Sequence, residues 1–161
     1  MTDFRSAITE ELNAIEYDLL CTEKAHFIAA EELKKVHLWV GLLATASAGA
    51  STATILAAAP AWISGALALV ATLSSGSLTF LKPEEKATQH LAAGRTFGAV
   101  RTLAHQYRQI DLMREPLDLD ACRGYVAEIS QAKKDANDGA PSISSRRHSK
   151  AKAQIAQRTP G

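Results

Sequence analysis

Residues 36–81 contain no Asp, Glu, Lys or Arg, and all 35 charged residues of the chain lie outside that run. A bilayer core about 30 Å thick is crossed by about 20 apolar residues of helix at ~1.5 Å rise per residue. The run therefore has room for two spans and a tight turn. Pro60 sits near its middle, within Ala57-Ala58-Ala59-Pro60-Ala61-Trp62. The sequence predicts a first span over 38–57 and a second over 62–81. The competing reading is an Ala-rich helix pair buried in a soluble bundle. Such helices normally keep one charged face, and no such face exists here.

The flanks give the spans an orientation. The only two tryptophans, Trp39 and Trp62, stand where the two spans begin, and an indole prefers the headgroup level, where its N–H stays wet. Lys34, Lys35, Lys82 and Lys86 bracket the run, whereas the 58–61 connection is uncharged. The positive-inside rule then expects both termini to be cytoplasmic and the turn to face the other side. A secretory signal is not expected, since eight acidic residues precede the apolar run.

The fold class expected is all-α, a two-transmembrane helical hairpin flanked by long cytoplasmic amphipathic helices in one 161-residue domain. Its parts are an N-terminal helix (1–35), the hairpin (36–81), helices over 82–115 and 117–137, and a basic tail (138–161). The first of these has no Gly or Pro, and Phe4, Ile8, Leu12, Ile15, Leu19 and His26 recur at helical spacing, so it should run straight into the first span. It holds eight acids against four bases. The segment after the hairpin holds nine against fourteen. Opposite charge and matching apolar stripes (Leu91, Phe97, Val100, Leu103, Tyr107, Ile110 and Met113 on the later helix) predict that the two pair antiparallel. Lys82-Pro83-Glu84-Glu85 reads as a helix start. Pro116 reads as a stop, Asp118 or Asp120 as a cap, and Asn137-Asp138-Gly139 as a second stop. The tail is expected to be a short helix or partly disordered.

No catalytic pattern emerges. The chain lacks H-E-x-x-H, a P-loop and G-x-S-x-G. Its histidines (His26, His37, His90, His105, His148) make no metal-ligand spacing with each other or with Cys21 and Cys122. The sequence thus predicts no enzyme, no cofactor and no metal. Nucleic acid is not an expected partner, because Arg95, Arg101 and Arg108 form no dense stripe. The basic tail suits anionic lipid headgroups better.

Small residues recur every four positions on both spans: Gly41, Thr45, Gly49, Ala53 and Ala57 on one, Ser64, Ala68, Thr72 and Gly76 on the other. Such rows let helix backbones approach closely in lipid. Ser47, Ser51 and Thr54 lie off the first row, and Ser74, Ser75, Ser77 and Thr79 crowd the end of the second span. That surplus points either to neighbouring subunits or to a water-lined path. Candidate packing or pore-lining residues are Gly41, Thr45, Gly49, Ser51, Thr72, Ser75, Gly76 and Thr79, with Trp39 and Trp62 as interface anchors.

The order of parts also matches a known family. A long N-terminal helix leads into two closely spaced spans. Phe80-Leu81-Lys82-Pro83-Glu84-Glu85-Lys86 then opens a helix with His90, Ala93 and an Arg-rich continuation, and Ala140-Pro141-Ser142-Ile143 precedes Lys150-Ala151-Lys152. Over nearly its whole length the chain resembles the SLATT family of two-transmembrane effectors from nucleotide-signalled bacterial conflict systems. The resemblance implies a homo-oligomeric, pore-forming or membrane-perturbing effector in anti-phage defence. It would sit in the inner membrane, triggered by a cyclic nucleotide or similar signal made by a partner protein; these 161 residues show no fused sensor for that signal. It supplies no catalytic residues. The residues alone leave a second class open, a non-catalytic membrane adaptor whose soluble helices tether another protein.

Overall fold

The computed structural model describes residues 2–113 and 119–158, and all of their regular structure is helical. Helix α1 spans Thr2–Leu56, α2 Ala61–Leu81 and α3 Pro83–Gln109. A short 3-10 helix follows at Asp111–Met113, then α4, Leu119–Asp138, and α5, Ser145–Arg158. The chain forms two compact units. One comprises Met1–Ala29 with Gln89–Gly161, the other Ala30–Thr88.

In the second unit, hydrogen bonds show how α1 ends. The Ala59 N–H donates to Thr54 O at 3.0 Å and the Ala58 N–H to Ile55 O at 3.1 Å. With Ala58 at φ 53°, this is a Schellman cap, built on alanine where glycine is usual. Left-handed alanine costs about 1 kcal/mol. Pro60, at φ −52°, then opens α2, since its ring fixes φ and its missing N–H is not needed there. Lys82 closes α2 in the left-handed region and donates its N–H to Leu78 O. Pro83 begins α3, with Glu84 and Glu85 in the first turn.

α2 packs back along α1 through a narrow face. Ala44, Ser47 and Ser51 of α1 and Ser74 of α2 are buried. The Ser51 hydroxyl donates to Ser64 O at 2.9 Å, and a Cβ on Gly41 would stand 3.7 Å from Leu78 Cδ1. The steps from 41 through 44 and 47 to 51 are three, three and four, because a straight face on a helix of 3.6 residues per turn needs steps of both lengths. The strict every-four row of the sequence drifts about 40° per step, and its members Thr45, Gly49 and Ala53 lie exposed. Ser47 and Ser51, read from sequence as off the packing row, sit on the face that packs.

The first unit has a conventional core. Leu12 and Leu19 of α1 meet Phe97, Val100 and Ala104 of α3 and Cys122, Ile129 and Ala136 of α4. α1 and α3 run antiparallel, held by Glu16 with Arg108 (2.6 Å) and Glu23 with Arg101 (2.9 Å). Lys133 of α4 reaches Asp18 of α1 at 2.6 Å. α5 adds a small cluster, in which Ala151 packs on Ala25 and Ile28 beside Ile143. α3 ends well before Pro116, contrary to the sequence reading. The tight 3-10 turn instead swings Leu112 into the core and leaves Ile110 and Met113 exposed. Pro116 and Asp118 lie outside the described residues. Asp120 stands in the first turn of α4, where its charge complements the helix dipole.

Phe27 lies against the backbone of Gly94. A Cβ there would stand 2.9 Å from the Phe27 ring, closer than carbon atoms pack. Gly94→Ala should therefore destabilise the first unit by about 1–3 kcal/mol, read as a lowered thermal unfolding midpoint. Gly98→Ala should cost less, because its neighbour is the Glu23 carboxylate at 3.2 Å, the end of a longer side chain.

Candidate functional site

The surface of the second unit sets it apart. Two helical stretches, within Phe4–Leu56 and Ala61–Met113, contain segments long and apolar enough to cross a membrane, and only 11% and 6% of those segments is buried. Among the described residues, thirteen of the sixteen large hydrophobic side chains that lie exposed fall between Val36 and Leu81, including Leu42, Leu43, Leu69 and Leu73. A core helix of a soluble protein is mostly buried. These are not.

Against that surface the candidate residues separate into two groups. Gly41 and Ser51 sit on the α1–α2 contact, as described. Thr45, Gly49, Thr72, Ser75 and Thr79 are exposed, Gly76 is half-buried, and nothing lies within 4 Å of a Cβ placed on Gly49 or Gly76. Exposed threonines satisfy themselves. Thr45 donates to Gly41 O at 3.0 Å, Thr72 to Ala68 O at 2.9 Å and Thr79 to Ser75 O at 3.1 Å. This i−4 back-bonding lets a hydroxyl face lipid without an orphaned donor. Trp39 and Trp62 are both exposed, as a headgroup anchor must be. His37 faces Glu84, Nε2 to Oε2 3.6 Å, while its buried Nδ1 has no partner among the described residues.

No protein-family model, curated protein or solved structure matches the chain. Function must be argued from the residues.

The first unit contains a feature that sequence spacing did not reveal. His26 of α1 and His90 of α3 face each other Nδ1 to Nδ1 at 2.9 Å, with 1% and 6% of each residue exposed. The His26 ring also stacks on Phe97, centroids 5.3 Å apart. Burial, reinforced by the neighbouring His90, pushes the His26 imidazole down to about 4. Burial and the Arg147 guanidinium lower His90 as well. The two are 64 positions apart, so only the antiparallel register of α1 and α3 brings them together. Among the described residues no three His, Cys, Asp or Glu side chains converge on a metal-sized site.

Other polar groups of the first unit pair across its helices. Burial raises the Glu16 carboxyl, but hydrogen bonds from Arg108 and His105 outweigh it and hold the group below its ordinary value. Tyr107 donates to Glu128 at 2.6 Å and stacks on Tyr125. Its phenol is pushed up to about 12, chiefly by that hydrogen bond.

Proposed function

We propose that this chain is a two-span inner-membrane effector with both termini cytoplasmic, whose hairpins assemble with copies of themselves and breach the bilayer in response to a signal. One observation carries the membrane part: the exposed large hydrophobic side chains are concentrated on the charge-free helices. Each would gain about 1.5–3 kcal/mol on leaving water, and lipid supplies that along the whole run. Lysines at the outer ends and none in the 57–60 connection orient it. Exposed Gly49 and Gly65, with half-buried Gly76, leave room for a second backbone to approach. The resemblance to SLATT effectors supplies the defensive role and the expectation of a nucleotide-signalling partner.

One observation favours the adaptor reading instead. The exposed threonines bond back to their own helices, so they need neither water nor a neighbour. Expression with topology reporters at position 59 and at the C terminus, alongside a potential-sensitive dye, separates the two. The effector reading expects opposite sides for the two reporters and depolarised cells at high expression or on signal. Normal potential under every condition, with correct insertion, selects the adaptor. Recovery in the soluble fraction without detergent would sink the membrane reading itself.

A further inference from the structure

We propose that His26 and His90 form a proton-operated latch beneath α5: with the pair sharing one proton between facing nitrogens, the C-terminal helix stays docked, and loading the pair with protons drives Arg147 and its helix away. This inference concerns the first unit alone and stands whether or not the chain breaches membranes.

The geometry limits how many protons the pair can hold. At an Nδ1–Nδ1 distance of 2.9 Å one ring donates and the other accepts. A first extra proton enters at Nε2 of the donating ring and leaves the N–H···N bond intact. A second must occupy the accepting Nδ1 itself, which places two N–H groups head to head and breaks the bond. Both rings are almost wholly buried, so neither can turn to water without the helices parting.

α5 is the element placed to respond. Among its described residues the one fully buried side chain is Ala151, packed on Ala25 and Ile28, the residues that straddle His26. The α5 residue Arg147 bears on His90 as a like charge once that ring is protonated. Two carboxylates on the neighbouring helices already have partners. On α1, Glu23 stands a turn before His26 and is paired with Arg101 of α3. On α4, Asp135 lies across a groove lined by Gln89 of α3 and accepts a bond from Gln131. A small alanine contact opposed by a buried cation is the weak point of the bundle.

The sign follows from the depressed values. A histidine whose folded pKa lies below its ordinary 6.5 contributes stability that is complete above that value and is lost as pH falls toward about 4. Docking of α5 should thus be complete at neutral pH and fail on acidification.

Spin labels on cysteines introduced at Asn13 and Ala153, both exposed, report the docking of α5 in the full-length protein in detergent. The expected result is one narrow distance distribution at pH 7.5 that broadens and lengthens with a midpoint between 4 and 6.5. His26→Phe combined with His90→Leu should remove that transition and keep the narrow distribution throughout. An unchanged distance in the wild type down to pH 4, or the same transition in the double variant, overturns the latch. Nitrogen-15 spectra of labelled histidine in the wild type serve should the double variant misfold. The shared-proton resonance must disappear at the midpoint of the distance change, and two distinct midpoints also overturn it.

Discussion

Arginine at the centre of the first apolar helix, Ala48→Arg, is expected to expel that helix from the bilayer, whereas Val70→Arg in the second should only weaken insertion. An arginine at mid-bilayer costs about 2.5–3.5 kcal/mol on insertion scales, and each Leu, Ile, Val or Phe returns about 0.3–0.6. The 38–57 segment has six such side chains, worth about 2–4 kcal/mol, diluted by Ala, Ser, Thr and Gly. A single arginine cancels that margin. The 62–81 segment has eight, and keeps seven after Val70 is replaced. Both target positions are exposed, so neither substitution disturbs the α1–α2 contact. Alkaline extraction together with a reporter at position 59 reads the outcome. Ala48→Arg should move that reporter to the side of the termini, Ala48→Leu should leave it in place, and full integration of Ala48→Arg would show that its surroundings are not lipid.

The helices themselves were legible because the local signals agree. No Gly or Pro interrupts the first 40 residues, and α1 accordingly runs unbroken into the apolar segment. Pro60 and Pro83 mark the starts of α2 and α3, where a fixed φ helps and no N–H is needed. The acidic and basic helices pair through Glu16–Arg108 and Glu23–Arg101, with Leu12 and Phe97 both buried. Less was visible where tertiary packing decides. The end of α3 depends on whether Leu112 finds a core, and α4 supplies part of that core through Cys122, Ile129 and Ala136. Which small residues of α1 face α2 depends on the angle of approach, which composition does not set.

The histidine pair shows the same limit. His26 could be placed on the apolar stripe of α1 from its spacing, but its partner required the α1–α3 register. The Glu–Arg pairs imply that register, yet only once they are known to pair. A buried histidine on an apolar face is therefore a signal that sequence can raise and only packing can answer.

Substituting Gly49 or Gly76 by leucine is expected to abolish any leak while leaving the protein inserted and folded. Among the described residues no neighbour beyond the local helix lies within 4 Å of a Cβ at either position, so the first carbon of a side chain has open space there. Replacing a helical glycine also removes a penalty of about 0.8–1 kcal/mol, and leucine adds apolar surface for lipid. Judged alone, each variant should be at least as stable as the parent. An assembly that brings a second backbone against Gly49 or Gly76 would instead be forced apart by several ångströms. Ser51→Ala is the contrasting control. It removes the Ser51–Ser64 hydrogen bond inside one chain, at about 0.5–1.5 kcal/mol, and should weaken the helix pair without touching an exposed surface. Loss of depolarisation in the two glycine variants, with Ser51→Ala active, places close helix approach between chains at the centre of the activity. Depolarisation undiminished in both glycine variants would exclude those glycines from the assembly and leave the spans as anchors.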